Sequence, residues 1–456
     1  MTPEEMLDRL QWGSTLLWPI GNVAGSRLGW LDVPKEMERE AAELRNWADT
    51  IDNEVIVLLG MGGSSLGPKV LASLSESYGA LNGRKLFVCD TTDPTTVVQM
   101  PFEDAFILVS SKSGTTLEPS VLFDYAKTRQ RDMRQYAVIT DPSTPLALAA
   151  KMQRVNRIFE NRADIGGRYS VLSYFGLVPA VLLGYDVAEL CGRALESDRH
   201  EAVALGIRLA EAALETRDKA TIVTGERERS FGLWVEQLIA ESTGKLGRGI
   251  VPVPTPEEET GDDRELVHVA FESAHEVAAQ FYRFEIATAI AGHVLQLDPF
   301  DEPNVAESKA NTNRVLSDLP LTAEAQQMAS ALQPYLDEQI REGDYVSLQA
   351  YLPYGSEAKL EQLRCSIRDR NDGVAVTAGY GPRFLHSTGQ LHKGGPESVI
   401  AVQIVAHSPR EKLPIPDKPY DFATLIDAQA IGDRESLLTH GRRVITVGVD
   451  DLGELM

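Results

Sequence analysis

Cysteine is scarce in this chain: Cys89, Cys191 and Cys365 are the three among 456 residues, far apart and without a C-x-x-C pair or ligand-like spacing. A disulfide framework is thereby excluded, and reduced thiols of a cytoplasmic protein are expected. Histidine numbers 8, with no H-E-x-x-H and no clustered-ligand spacing, so neither a metal nor any other cofactor is expected. Long apolar runs are also missing. The longest, 171–185, is interrupted by Gly176, Pro179 and Gly184 and falls short of the ~20 residues a bilayer span needs. The opening MTPEEMLDRLQW is acidic and precedes no apolar segment, so no secretion or insertion signal is expected. Positive charge is in deficit, with Lys+Arg 44 against Asp+Glu 67 and a formal net charge of -23. A field of that sign repels phosphate backbones and anionic headgroups, which argues against nucleic-acid and membrane-surface partners. An anionic small molecule would need local positive potential, supplied by backbone N–H groups and a few basic side chains.

What is present is an ordinary globular composition, 43% hydrophobic and 24% charged, in a chain long enough for two domains. Short apolar runs alternate with amphipathic stretches: VIVLL at 55–59, KLFVCD at 85–90, AFILVSS at 105–111 and YAVIT at 136–140. The alternation predicts βαβ units and a parallel sheet. After a helical segment at 201–217 a second series begins with TIVTG at 221–225 and continues with VLQLD at 294–298, YVSLQAYL at 345–352, VAVTAG at 374–379, VIAVQIVA at 399–406 and VITVGV at 444–449. We therefore expect an α/β protein of two doubly wound domains, mainly parallel sheets with helices on both faces. The expected boundary divides 1–200, with an N-terminal helical arm, from 201–456. Surface loops are expected at 252–265 and 408–421, where Pro and charged residues cluster.

Two strand-to-helix turns carry chemistry. VIVLLGMGGSSLGPKVL at 55–71 places Gly, Ser and a helix N-terminus at the carboxyl edge of a strand, a geometry that binds anions. It is not a dinucleotide fingerprint, since Ser65 occupies the third glycine position, and not a P-loop, since Pro68 follows Gly67 where Lys is required. AFILVSSKSGTTLEP at 105–119 offers the hydroxyls of Ser111, Ser113, Thr115 and Thr116 around Gly114. Ser and Thr also cap helices for purely structural reasons. Two such turns on one sheet favour a small phosphorylated ligand.

GMGGSSLGP at 60–68 and SSKSGTTLEP at 110–119 resemble the turns of the phosphosugar-binding (SIS) fold, and further segments resemble phosphoglucose isomerases. DIGGRYSVLSYFGL at 164–177 is similar to that family's G-G-R-[YF]-S segment. QLIAESTGK at 237–245 is similar to Q-L-x-x-E-S-N-G-K, with Thr243 for Asn. LDPFDEPNVAESK at 297–309 resembles S-F-D-Q-x-G-V-E-x-G-K, with Glu302 for Gln and Ser308 for Gly. The family's histidine segment normally lies between the last two; here its counterpart, FLHSTGQLHKGG at 384–395, follows them. That order resembles the isomerase portion of transaldolase–isomerase fusions, with a second domain rearranged in sequence.

The resemblance implies interconversion of glucose 6-phosphate and fructose 6-phosphate without a cofactor, by a homodimer. It implies Glu241 as the base that moves a proton between carbons 2 and 1, Arg168 as the cation facing the enediolate, and His386 with Lys309 as the groups that open the sugar ring. The phosphate is expected on Gly63, Ser64, Ser111, Lys112, Ser113, Thr115 and Thr116, with Glu118 orienting that loop. His392, six residues from His386, competes for the histidine role. An isomerase accepting mannose 6-phosphate as well, and a non-catalytic sugar-phosphate sensor on the same fold, are the alternative readings. A sensor would have no reason to keep Glu241, Arg168 and Lys309 together.

Overall fold

The apolar runs of the first half form strands β1 (Val55–Leu59), β2 (Lys85–Cys89), β3 (Phe106–Ser110) and β4 (Tyr136–Thr140) in the structure, a computed structural model. It describes every residue except 80 and 322–325, and every side chain except those and 305, 306, 308 and 309. A strand the sequence reading missed, β5 (Arg157–Glu160), completes a parallel sheet of order β2-β1-β3-β4-β5. Its apolar content is only Ile158 and Phe159, and an edge strand tolerates the charged residues at its ends. Because the chain passes to β2 and then returns across β1 to reach β3, the carboxyl ends of β1 and β3 flank the point where strand order reverses. Parallel sheets hold ligands at such a crevice. Both Gly/Ser-rich loops leave from those two ends.

The second half contains two parallel sheets. Strands β6 (Lys219–Val223), β7 (Val251–Thr255) and β8 (Arg264–His268) pair in the order β7-β6-β8. Strands β9 (Tyr345–Tyr351), β10 (Ala375–Tyr380), β11 (Val399–Ala406) and β12 (Arg443–Val449) pair in the order β10-β9-β11-β12. A cluster of buried Ala240, Val251, Val253, Tyr345, Ala375, Leu391 and Val399 joins the two sheets.

One sequence expectation fails here and another holds only in part. VLQLD at 294–298 is no strand: Val294 ends the helix Val277–Val294, and Leu295 and Leu297 bury in the turn that follows. A short apolar run reads alike in a helix end and a strand. The expected loop at 252–265 is narrower than expected: β7 and β8 take 252–255 and 264–265, and 256–263 between them is irregular. Pro252 and Pro254 are tolerated because β7 is an edge of its sheet, and the alternate residue Val251 donates its N–H to the neighbouring Asp218 carbonyl. The 408–421 stretch is irregular, as expected.

The core does not divide at residue 200; one cluster of buried side chains runs from Met6 to Phe300. Cys89 and Cys191 are buried free thiols. Among the described residues no helix is long and apolar enough to cross a membrane.

Candidate active site

The loop after β1 turns on Gly62, whose φ of 55° lies in the left-handed region. A β-carbon on Gly62 would stand 2.6 Å from the His386 carbonyl oxygen and 2.9 Å from the Gln237 amide nitrogen. One on Gly63 would stand 1.9 Å from the Gly167 carbonyl oxygen. These glycines let the first loop touch the Gly166–Ser170 turn and the His386 turn backbone to backbone, and the Gln237 side chain of the helix Arg229–Thr243. Segments distant in sequence are thereby drawn around the crevice between β1 and β3.

Helix Arg229–Thr243 follows β6, and its last turns bury Gln237, Glu241, Ser242 and Thr243. Residues four apart share a helix face. Accordingly the Gln237 amide donates to Glu241 Oε2 at 3.0 Å, and also to the His386 carbonyl at 2.8 Å. Glu241 Oε1 lies 2.8 Å from Nη1 of Arg168, a side chain only 3% exposed. The other Arg168 nitrogens are taken: Nε donates to Ser242 Oγ at 3.0 Å, and Nη2 to the carbonyls of Pro299 at 3.0 Å and Asp301 at 2.7 Å. Burial pushes the Glu241 carboxyl above its ordinary range, opposed chiefly by the Arg168 cation. A carboxylate so placed is a stronger base than one in water, held against a cation that cannot lose its proton.

His386 ends a single turn, Arg383–His386, after β10, and its Nε2 lies 2.9 Å from Glu118 Oε1. With Glu118 ionised, Nε2 carries the hydrogen and donates it to the carboxylate. Glu118 also accepts from Gln429 Nε2 at 2.7 Å, and Thr92 Oγ1 donates to Gln429 Oε1 at 2.6 Å. Glu118 therefore fixes the imidazole, where the sequence reading had it orienting its own loop. His392 is elsewhere: buried, with Nε2 3.2 Å from Ser347 Oγ, Nδ1 3.2 Å from Gln349 Nε2, and its pKa depressed by burial to about 3.

The second loop follows β3. Thr116 precedes helix Leu117–Arg129 without capping it through its side chain, and its hydroxyl faces those of Ser111 at 3.4 Å and Ser113 at 3.5 Å. Ser113 Oγ in turn receives the Thr115 N–H at 3.2 Å and the Thr115 hydroxyl at 3.0 Å. Hydroxyls that bond to one another rather than to the helix are free to turn onto an anion. Lys112 is engaged instead with the Asp141 carboxylate and the Ala163 carbonyl. Ser64 is buried beside Gly63 in the first loop.

A sequence profile described as phosphoglucose isomerase matches residues 39–206, the span that includes both Gly/Ser-rich loops and Arg168. The chain is 26% identical over 396 residues to the glucose-6-phosphate isomerase of Lactobacillus helveticus, covering 64% of this chain and 87% of that one. It is 25% identical over 383 residues to the enzyme of that name from Mycoplasmopsis pulmonis, covering 63% and 90%. The chain is similar to phosphoglucose isomerases over its first half and, more distantly, over most of those relatives' length. A glucose-6-phosphate isomerase from Chlamydia trachomatis shares the fold, with a TM-score of 0.51 at 16% identity over 73% of this chain and 81% of that one.

The phosphoglucose isomerase profile ends at 206, before Glu241, Lys309 and His386, so for these the geometry speaks alone. It gathers Glu241, Arg168, the His386 turn and the first loop. Lys309 is on helix Val305–Ser317, but its side chain is outside the described residues. The sequence reading gave no role to Gln237, Gln429, Lys245 or Glu302. Gln237 was legible from its spacing to Glu241. Lys245 donates to the carbonyls of Asp298 and Asp301 at 2.5 Å, and burial lowers its pKa to about 8.

Proposed function

We propose that the chain interconverts glucose 6-phosphate and fructose 6-phosphate through an enediolate, with Glu241 carrying the proton. The observation that carries this reading is the Gln237 amide, which ties the Glu241 carboxylate and the His386 turn into one unit while Arg168 holds the other carboxylate oxygen. Glu241 removes the proton from carbon 2 and returns it to carbon 1. The Arg168 guanidinium faces the oxyanion that develops between these steps, a preorganised arrangement of the kind that dominates such catalysis. His386, steadied by Glu118, moves the proton between ring oxygen and anomeric hydroxyl as the ring opens, with Lys309 supporting the charge. The phosphate is held by the hydroxyls of Ser111, Ser113, Thr115 and Thr116 and by backbone N–H groups there and at Gly63 and Ser64; Lys112 joins them by leaving Asp141.

A base raised by burial and pinned to a cation favours an enzyme over a sensor, which needs no base. Similarity to glucose-6-phosphate isomerases supports the same aldose–ketose chemistry. We also propose a cytoplasmic homodimer, on the family resemblance, to be measured by sedimentation equilibrium. The deciding experiment is a coupled assay on fructose 6-phosphate in excess chelator. Formation of glucose 6-phosphate is expected; no turnover, or turnover only when a divalent ion is restored, would overturn the reading.

A further inference from the structure

The loop that follows helix Val277–Val294 brings a second carboxylate to the site. Nη1 of Arg168, which lies 2.8 Å from Glu241 Oε1, also lies 3.4 Å from Glu302 Oε2. Since Nε and Nη2 of the same guanidinium are occupied by Ser242, Pro299 and Asp301, both carboxylates compete for one nitrogen. Among the described residues Arg168 is the only partner of Glu302, whose side chain is 47% exposed.

The position of Glu302 is not that of a loose surface residue. Lys245 holds the carbonyls of Asp298 and Asp301, Arg168 holds those of Pro299 and Asp301, and Gln390 accepts the Asn304 N–H at 2.9 Å. The backbone on both sides of Glu302 is therefore pinned.

We propose that Glu302 is a positioning residue that shares the Arg168 cation with Glu241 and thereby sets the pH range in which Glu241 can accept a proton from substrate. This rests on the isomerase reading above. A guanidinium placed against one carboxylate stabilises that carboxylate's charged form; a second carboxylate on the same nitrogen withdraws part of that stabilisation and adds like-charge repulsion. Both effects make Glu241 hold its proton to higher pH. The charged groups facing Glu241 are Arg168 from the Gly166–Ser170 turn, Lys245 from the end of its own helix, and Glu302 and Asp301 from the loop. Asp301 is paired with Lys245, and the His386 imidazole is turned to Glu118, which leaves Glu302 as the uncompensated charge.

The experiment is the pH dependence of kcat/KM on fructose 6-phosphate for the full chain and for Glu302→Gln, an isosteric change at a half-exposed side chain. The acid limb of the variant is expected to move down by on the order of one pH unit, the size of effect a close charge exerts on a carboxyl. Glu302→Asp, which keeps the charge, should retain a limb near that of the parent. An unmoved limb with a uniform loss of rate would assign Glu302 a merely structural role and overturn the proposal, as would an upward shift. Carboxyl carbon-13 titration by NMR, with Glu241 assigned through the signal lost in Glu241→Gln, reads the same coupling without turnover. Absence of isomerase activity in the parent would therefore sink the isomerase reading alone. A Glu241 titration unchanged by Glu302→Gln would sink this one.

Discussion

Oε1 of Glu241 lies 2.8 Å from Nη1 of Arg168, so the proposed base and the proposed oxyanion partner hold each other before any substrate arrives. Burial raises the carboxyl's affinity for a proton while the guanidinium lowers it. The pair is poised to give up its mutual contact as charge moves from Glu241 to the enediolate. On that view the cation passes from the Glu241 carboxylate to the enediolate.

Replacing Glu241 with Gln keeps the shape of the side chain and removes the proton acceptor. The kcat of Glu241→Gln is expected to fall by at least ~10², the lower range for a general base, with little change in KM. Steady-state rates on fructose 6-phosphate measure this, and a variant with near-parental kcat would take Glu241 out of the role.

The paired hydroxyls of the second loop predict a binding defect. Ser111→Ala combined with Thr116→Ala is expected to raise KM strongly, because each hydrogen bond to a charged acceptor is worth roughly 1.5–3 kcal/mol. Calorimetric titration with a non-reacting sugar phosphate isolates affinity from turnover. Unchanged affinity would place the phosphate elsewhere.

Ring opening separates the histidines. His386→Ala should lose far more activity on the cyclic sugar phosphate than on an open-chain substrate, whereas Glu241→Gln should impair both. Glu118→Gln, which leaves the imidazole without its carboxylate, should share the ring-dependent pattern in milder form. His392→Ala is expected to lower thermal stability, since Ser347 and Gln349 would lose their buried partner, and to show no ring dependence. Equal losses on the two substrate forms in His386→Ala would show that His386 does not open the ring.

Glu236, adjacent in sequence to Gln237, predicts how stability varies with pH. Burial pushes its carboxyl up to about 8 from an ordinary 4.5, with Arg383 opposing. The native state then keeps a proton that the unfolded chain releases, so stability falls as pH rises from about 4.5 to about 8. Glu236→Gln removes this slope. Its melting temperature relative to the parent is expected to rise steadily across that window in thermal scans, and a constant difference would show that Glu236 is ionised throughout. Glu285, buried with neither carboxylate oxygen bonded, acts in the same direction in both proteins and cancels in the comparison.

What the sequence by itself determined are the features carried by neighbouring residues. Strands β1 to β4 are short apolar runs closed by turn residues, the two Gly/Ser loops follow β1 and β3, and Gln237 stands one helical turn from Glu241. Each is a local pattern, set by backbone period and turn chemistry. The order β2-β1-β3 is another matter, since only pairing partners decide it, and it is what turns both loops into one crevice. The tertiary structure alone decided that Glu118 meets His386 across 268 residues, that Glu302 meets Arg168 across 134, that Lys112 is taken by Asp141, and that His392 is core. β7 and β8 were missed because prolines and acids on edge strands look like loop until the neighbouring strand is known. Contacts of that range come from which loops the glycines at 62 and 63 allow to touch, a matter of packing that no local pattern encodes.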